Sequence, residues 1–206
     1  NYFAIREDTR FDAGVDYIRS GSLLESDRGV LQLSGAPELG RFRTLLPETE
    51  RLTLNGLVSG NLLSGVSSTL NGRFEASKNE SLLGLGDNGP LRRNIETRAG
   101  HLGTTLGGLM GKWLWNFTGN YDRNSTDTFT DTNDGSGAQD EARFVNSFAD
   151  ADLVLSGPVL ELPTGPISTS VRAGFEMRDF TSESFRGGVE QRTELSRDRG
   201  AIQANL

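Results

Sequence analysis

His101 is the only histidine in 206 residues, and the chain has no cysteine. A Ser-His-Asp relay would have to run through that imidazole, yet no Gly-x-Ser-x-Gly elbow presents a serine to it. A two-histidine zinc site is excluded within the segment, and so are disulfides and thiolate metal centres. Asp150 and Asp152 stand two residues apart, on one face of any strand. Paired carboxylates do acid–base work when their surroundings separate their pKa values. With Arg and Lys nearby in a water-filled lumen, a charge network across strands is the better reading. Gly84-Leu85-Gly86-Asp87-Asn88-Gly89 spells the dinucleotide fingerprint, but pyrophosphate binding needs a strand before it and a helix opening after it. Pro90 follows at once and no helical period comes after, so a loop is expected. Asp127–Asp140 is acidic and contains Asp131-Thr132-Asn133-Asp134-Gly135. The glycine arrives one position too early for a calcium loop, which leaves a solvated loop. Three Asn-x-Ser/Thr triplets, at Asn79, Asn116 and Asn124, are read as chance. No catalytic, cofactor or metal site is expected, and the chain is not read as an enzyme.

The elements that carry these residues follow a period of two. Val66, Leu70, Gly72, Phe74 and Ala76 alternate with Ser67, Thr69, Asn71, Arg73, Glu75 and Ser77. Leu52, Leu54, Gly56 and Val58 do the same. So do Trp113, Trp115, Phe117, Gly119 and Tyr121; Ala149, Ala151, Leu153 and Leu155; Val171, Ala173, Phe175 and Met177; and Phe11, Ala13, Val15 and Tyr17. A weaker run covers Leu102 to Met110, and stubs at 1–5 and 199–206 add two strands. Such alternation predicts strands with one greasy and one wet face. Composition agrees, with 26 glycines, 34% hydrophobic residues and a net charge of −7 that argues against a nucleic-acid groove.

Runs of about 9 to 14 residues exceed the soluble mean of about 5 to 6 and match a tilted span of a bilayer. The connections alternate in length. Glu7–Thr9, Gly60–Gly65, Gly111 and Gly157–Pro166 read as short; Gly21–Thr49, Lys78–Gly100, Arg123–Arg143 and Thr181–Asp198 read as long loops. That order belongs to outer-membrane barrels, whose periplasmic turns are short and extracellular loops long. The expected fold is therefore all-β: part of an antiparallel transmembrane β-barrel, of about 8–9 long strands, with greasy residues toward lipid and wet ones toward a lumen. From face assignment alone, His101, Arg73, Glu75, Asn116, Asp150, Asp152, Arg172, Glu176 and Arg178 are the lumen-facing candidates for ligand contact. Tyr17, Trp113 and Tyr121 are candidates for interfacial girdles. The two ends fall inside alternating runs, so the 1–206 segment is expected to be an internal piece of a longer polypeptide.

Several stretches resemble the barrel of TonB-dependent receptors of Gram-negative bacteria. They are Arg43-Thr44-Leu45-Leu46-Pro47-Glu48-Thr49-Glu50-Arg51-Leu52-Thr53-Leu54-Asn55-Gly56, Leu70 to Ser77, Leu155 to Pro166, and Val171 to Arg178. The resemblance implies a barrel of about 22 strands with a plug in its lumen, in the outer membrane and in contact with its lipid. It implies energy supplied through TonB, and a small ligand such as a ferric siderophore, cobalamin, haem or a carbohydrate. No plug domain, TonB box or terminal aromatic strand is present in the segment. Coupled transport would therefore need the missing plug region, and no family binding residue carries over. A passive or structural barrel, porin-like or a small eight-stranded one, and a soluble carbohydrate-binding β protein are the alternatives.

Overall fold

The computed structural model of the chain describes residues 2–6, 9–29, 38–63, 65–132 and 138–205. Eleven strands follow one another: β1 (Tyr2–Arg6), β2 (Thr9–Ser20), β3 (Leu23–Leu24), β4 (Thr44–Leu46), β5 (Glu48–Leu63), β6 (Val66–Gly86), β7 (Gly89–Met110), β8 (Trp113–Asp131), β9 (Gln139–Leu162), β10 (Gly165–Arg186) and β11 (Val189–Asn205). Nine of them form one sheet in the order β1-β2-β5-β6-β7-β8-β9-β10-β11, each antiparallel to its neighbour. The short pair β3–β4, with two 3-10 turns between them, forms a separate flap. The sheet does not close on itself, and β1 and β11 are its edges.

The registers carry the alternation of each strand into its neighbours. Phe11, Val58 and Leu70 share one level; Phe74 and Leu54 share another. Further along, Phe117, Leu153, Ala173 and Ile202 line up. One face of the main sheet is therefore apolar across all its long strands, and the other is polar. On β6 the apolar band runs from Val66 to Ala76, about 33 Å of strand at ~3.3 Å per residue.

The upper limit of the band slopes. It lies at Tyr17 on β2, level with Leu52 and Ala76. On β11 it lies at Gly200, level with Phe175, Ala151, Gly119, Thr104 and Leu70. That is a fall of about six residues over about seven interstrand steps of ~4.8 Å, which corresponds to strands tilted by roughly 30°. At that tilt the band is about 28 Å high, close to the ~25 Å apolar belt of outer-membrane barrels. Above the band the apolar face turns charged. Arg19, Glu50, Lys78, Glu96, Asp127, Arg143, Glu183 and Arg192 form one register row. There Lys78, 2.6 Å from Glu80, holds that carboxyl below the usual carboxylate range.

Among the described residues no apolar side chain is buried; Phe74 is 42% and Leu153 37% exposed. A soluble sandwich would seal such residues between two layers. The strands also overturn part of the loop expectation. Lys78–Gly100, Arg123–Arg143 and Thr181–Asp198 are mostly strand: β6 and β7 turn only at Asp87–Asn88, and β10 and β11 only at Gly187–Gly188. Both of those glycines have positive φ, 54° and 81°, as a tight type I′ hairpin requires. At the opposite end the turns sit at the band itself, as at Gly111 with φ 65°. The asymmetry is real, but it lies in hairpins that overshoot the band rather than in irregular loops. Polar and apolar residues mix on both faces there, as at Leu82, Leu83 and Leu85, so the period of two loses its contrast. The Gly84–Gly89 stretch is one such hairpin tip, with no helix after it. Glu7 and the Asn133–Gly135 part of the acidic stretch lie outside the described residues.

Candidate functional site

The polar face of the sheet is the candidate site, and all nine lumen candidates lie on it. One register row runs Asn55, Arg73, His101, Asp122, Phe148, Arg178, Arg197. The next row carries Asn120, Asp150, Glu176 and Arg199. Asp152 follows one row further, and then Asn116 with Val154 and Arg172. Alternation within strands and antiparallel register between them suffice to gather these residues from β6 to β10.

Each of the charged candidates on this face has a partner. Arg172 donates from Nε and a terminal nitrogen to both oxygens of Asp152, at 2.9 and 3.0 Å. Gly174 makes room for that fork, because a Cβ there would come within 2.7 Å of Asp152 Oδ1. Asp150 accepts from the Asn120 amide at 3.0 Å. Arg178 reaches Glu176 at 2.8 Å and stacks over the Phe148 ring at 4.8 Å. Together Phe148, Asp150, Asp152, Arg172, Glu176 and Arg199 line a hollow of about 310 Å³ between β9, β10 and β11. On the other side of the face, Glu75 takes Arg73 at 2.9 Å and Arg51 at 3.5 Å. His101 Nδ1 meets Asp122 Oδ1 at 2.8 Å. Asn116 stands apart, accepting a bond from Thr118 at 3.4 Å.

The side chains of this face meet one another through hydrogen bonds and ion pairs. No hydroxyl is bonded to His101 among the described residues, so the His101–Asp122 pair lacks a nucleophile to activate. No group of three or more His, Asp or Glu that could hold a metal occurs among the described residues. In the acidic stretch, Asp131 already accepts from the Arg92 backbone and from Gln139, at 2.9 and 2.8 Å. Sequence reasoning missed Asp122, Asn120, Phe148 and Arg199. Asp122 was visible as a wet position, but its meeting with His101 depends on register. Arg199 fell in a stretch read as a stub.

At both ends of the band, aromatic rings stand at its limits. Tyr17 and Tyr121 mark the upper limit on β2 and β8. Trp113 and Trp115 mark the lower one, beside the Gly111 turn. Trp113 covers Gly157, where a Cβ would come within 2.6 Å of the indole, and the Trp115 ring stands 3.1 Å from where a Cβ on Gly108 would lie. Outer-membrane barrels carry aromatic rings at both limits of their apolar belt.

No family model and no curated protein matches the chain. Solved structures do. The chain is similar to the ferric yersiniabactin uptake receptor FyuA from Yersinia pestis, at 12% identity and a TM-score of 0.51, over 95% of this chain. It is similar to the ferric citrate transporter FecA in its unliganded form, at 12% identity and a TM-score of 0.52, over 97% of this chain. In both cases it spans 31% of the other chain's length. This likeness, together with the apolar band, gives the chain the fold of a stretch of barrel wall such as TonB-dependent receptors possess.

Proposed function

We propose that this chain is part of the barrel wall of an active importer in the outer membrane of a Gram-negative bacterium. Its barrel takes up a scarce small ligand, such as a ferric siderophore, with energy delivered through TonB to a plug that lies outside residues 1–206. The observation that carries the reading is the continuous apolar band on one face, backed by an ion-paired polar face, in a sheet without a core. Hydrocarbon is the neighbour that satisfies an apolar face of that height. The overshooting hairpins point to the cell exterior, and His101, Arg73, Glu75, Asn116, Asp150, Asp152, Arg172, Glu176 and Arg178 face the ligand or the plug in the lumen. Uptake of labelled ferric siderophores by cells carrying the intact protein tests this. Accumulation that stops when TonB is removed or the proton-motive force collapses is the expected result. Accumulation indifferent to both would make the barrel a passive one.

A further inference from the structure

The apolar face is not uniform. Over β5 to β8, at the upper limit of the band, it holds a groove of about 610 Å³, within the ~300–1,000 Å³ of small-molecule sites. Gly72 and Gly100 form its floor, and Phe74, Leu102 and Tyr121 form its walls. The register explains the hollow, because Gly100 separates Phe74 from Arg123 on one level. A Cβ at Gly100 would meet nothing within 4 Å, so the slot is open there, whereas Leu102 already leans over Gly72, 3.3 Å from where a Cβ would stand. Arg98, Arg123 and Arg143 stand at its upper lip.

Those arginines are only partly neutralised. Arg98 stands 3.6 Å from Glu96 and Arg143 3.5 Å from Asp127, both beyond good hydrogen-bond range, and both arginines are mostly exposed. Arg123, between them, has no ion pair among the described residues. Elsewhere the same limit is of the other character. Ser147, Asp179 and Asp198 stand just above the band on β9, β10 and β11, and Arg19 on β2 is held by Glu48 and Glu50 at 3.1 and 3.3 Å. Positive charge beside an open apolar slot is therefore confined to one place.

We propose that this groove docks a phosphorylated, acylated glycolipid of the outer leaflet. One acyl chain lies in the slot over Gly100, between Phe74 and Leu102, and a headgroup phosphate is gripped by Arg123 between Arg98 and Arg143. Guanidinium–phosphate pairs are strong and directional. The headgroup lies where these side chains emerge from hydrocarbon. The leaflet assigned rests on the orientation given under Proposed function.

The test uses the intact protein in detergent, analysed by native mass spectrometry with diphosphoryl lipid A as the probe. Dephosphorylated lipid A, phosphatidylcholine and inorganic phosphate are run beside it. Diphosphoryl lipid A should be retained at least tenfold more strongly than the other three. Arg123→Gln with Arg143→Gln should weaken retention at least tenfold. Gly100→Leu, which fills the slot on ordinary strand backbone without altering charge, should weaken it as well, while Arg19→Gln leaves it unchanged. Equal retention by the double variant, or by Gly100→Leu, overturns the proposal. So does inorganic phosphate that competes as well as the lipid. Trypsin added to intact cells separates the orientation from the groove. Cleavage near the Gly187–Gly188 tip keeps the hairpins outside, so unchanged retention then counts against the groove alone. Protection of that tip in cells whose isolated outer membranes are cleaved overturns the orientation.

Discussion

At the scale of single residues, the polar face poses a question of dielectric. Asp152 and Arg172 make a two-pronged contact at 2.9 and 3.0 Å, yet the Arg172 side chain remains 57% exposed. In a water-filled lumen such a pair is worth ~0.2–1 kcal/mol, whereas breaking a dry one costs ~3–5 kcal/mol. A double-mutant cycle on Asp152→Ala and Arg172→Ala, read from unfolding of the intact protein in vesicles, should give a coupling below about 1 kcal/mol. Gly174→Ala should abolish that coupling, since its Cβ would force Asp152 Oδ1 off the guanidinium. On the opposite face the constraint is steric. A side chain at Gly157 would meet the Trp113 ring at 2.6 to 2.9 Å, and a rigid indole yields less readily than a carboxylate. Gly157→Val should therefore destabilise by ~1–3 kcal/mol, with a changed tryptophan emission maximum as the ring leaves its seat.

At the scale of the strand, the two faces of one element should respond oppositely to the same charge. Leu153 on β9 points outward in the middle of the band, level with Phe117 and Ala173. Thr118 on β8 points inward, directly across from Asp152. Leu153→Arg should cost about 2–4 kcal/mol of stability in a bilayer, as cations at mid-depth on a barrel's lipid face do. Thr118→Arg, gaining a carboxylate neighbour in a hydrated lumen, should cost less than about 1 kcal/mol. Refolding titrations into lipid vesicles measure both, and equal penalties would mean that both faces see the same medium. This two-sidedness was legible in the sequence because it depends only on alternation within each strand. Tyr17, Trp113 and Tyr121 could be placed on the apolar face for the same reason. What sequence reading could not supply was register. His101 beside Asp122, or Phe74 facing Arg123 across Gly100, are meetings of residues more than twenty positions apart. The overshooting hairpins were hidden differently. Beyond the band polar and apolar residues mix on both faces, as Leu82 and Leu85 do beside Glu80 and Ser81, so Glu80–Gly86 and Glu190–Asp198 carry no clean amphipathic signal although they continue the ladder. Gly187-Gly188 was a readable hairpin signal passed over inside a supposed loop.

At the scale of the whole sheet, the slope of the apolar band and the open edges make linked demands. A band that falls about six residues across eight strands can be level in a membrane only if the strands lean, and the slope requires roughly 30°. Polarised infrared spectroscopy of the intact protein in oriented bilayers should therefore return a mean strand tilt of about 30–45°. The edges add a condition that tilt does not meet. β1 and β11 each lack a neighbour on one side, and β11 is exposed along its whole length. In hydrocarbon every unpaired N–H and C=O costs several kcal/mol, so an open edge cannot persist there. With the membrane location proposed above, further strands are expected to complete the ladder; the chain spans 31% of the solved barrels it resembles. The isolated 206-residue segment should then fail to insert as a monomer, showing no heat-modifiable mobility in detergent gels, while the intact protein shows it. A heat-modifiable monomer of the segment alone would mean that β1 and β11 pair with each other. The barrel would then be small and passive, its lumen filled by the very ion pairs assigned here to a transport path.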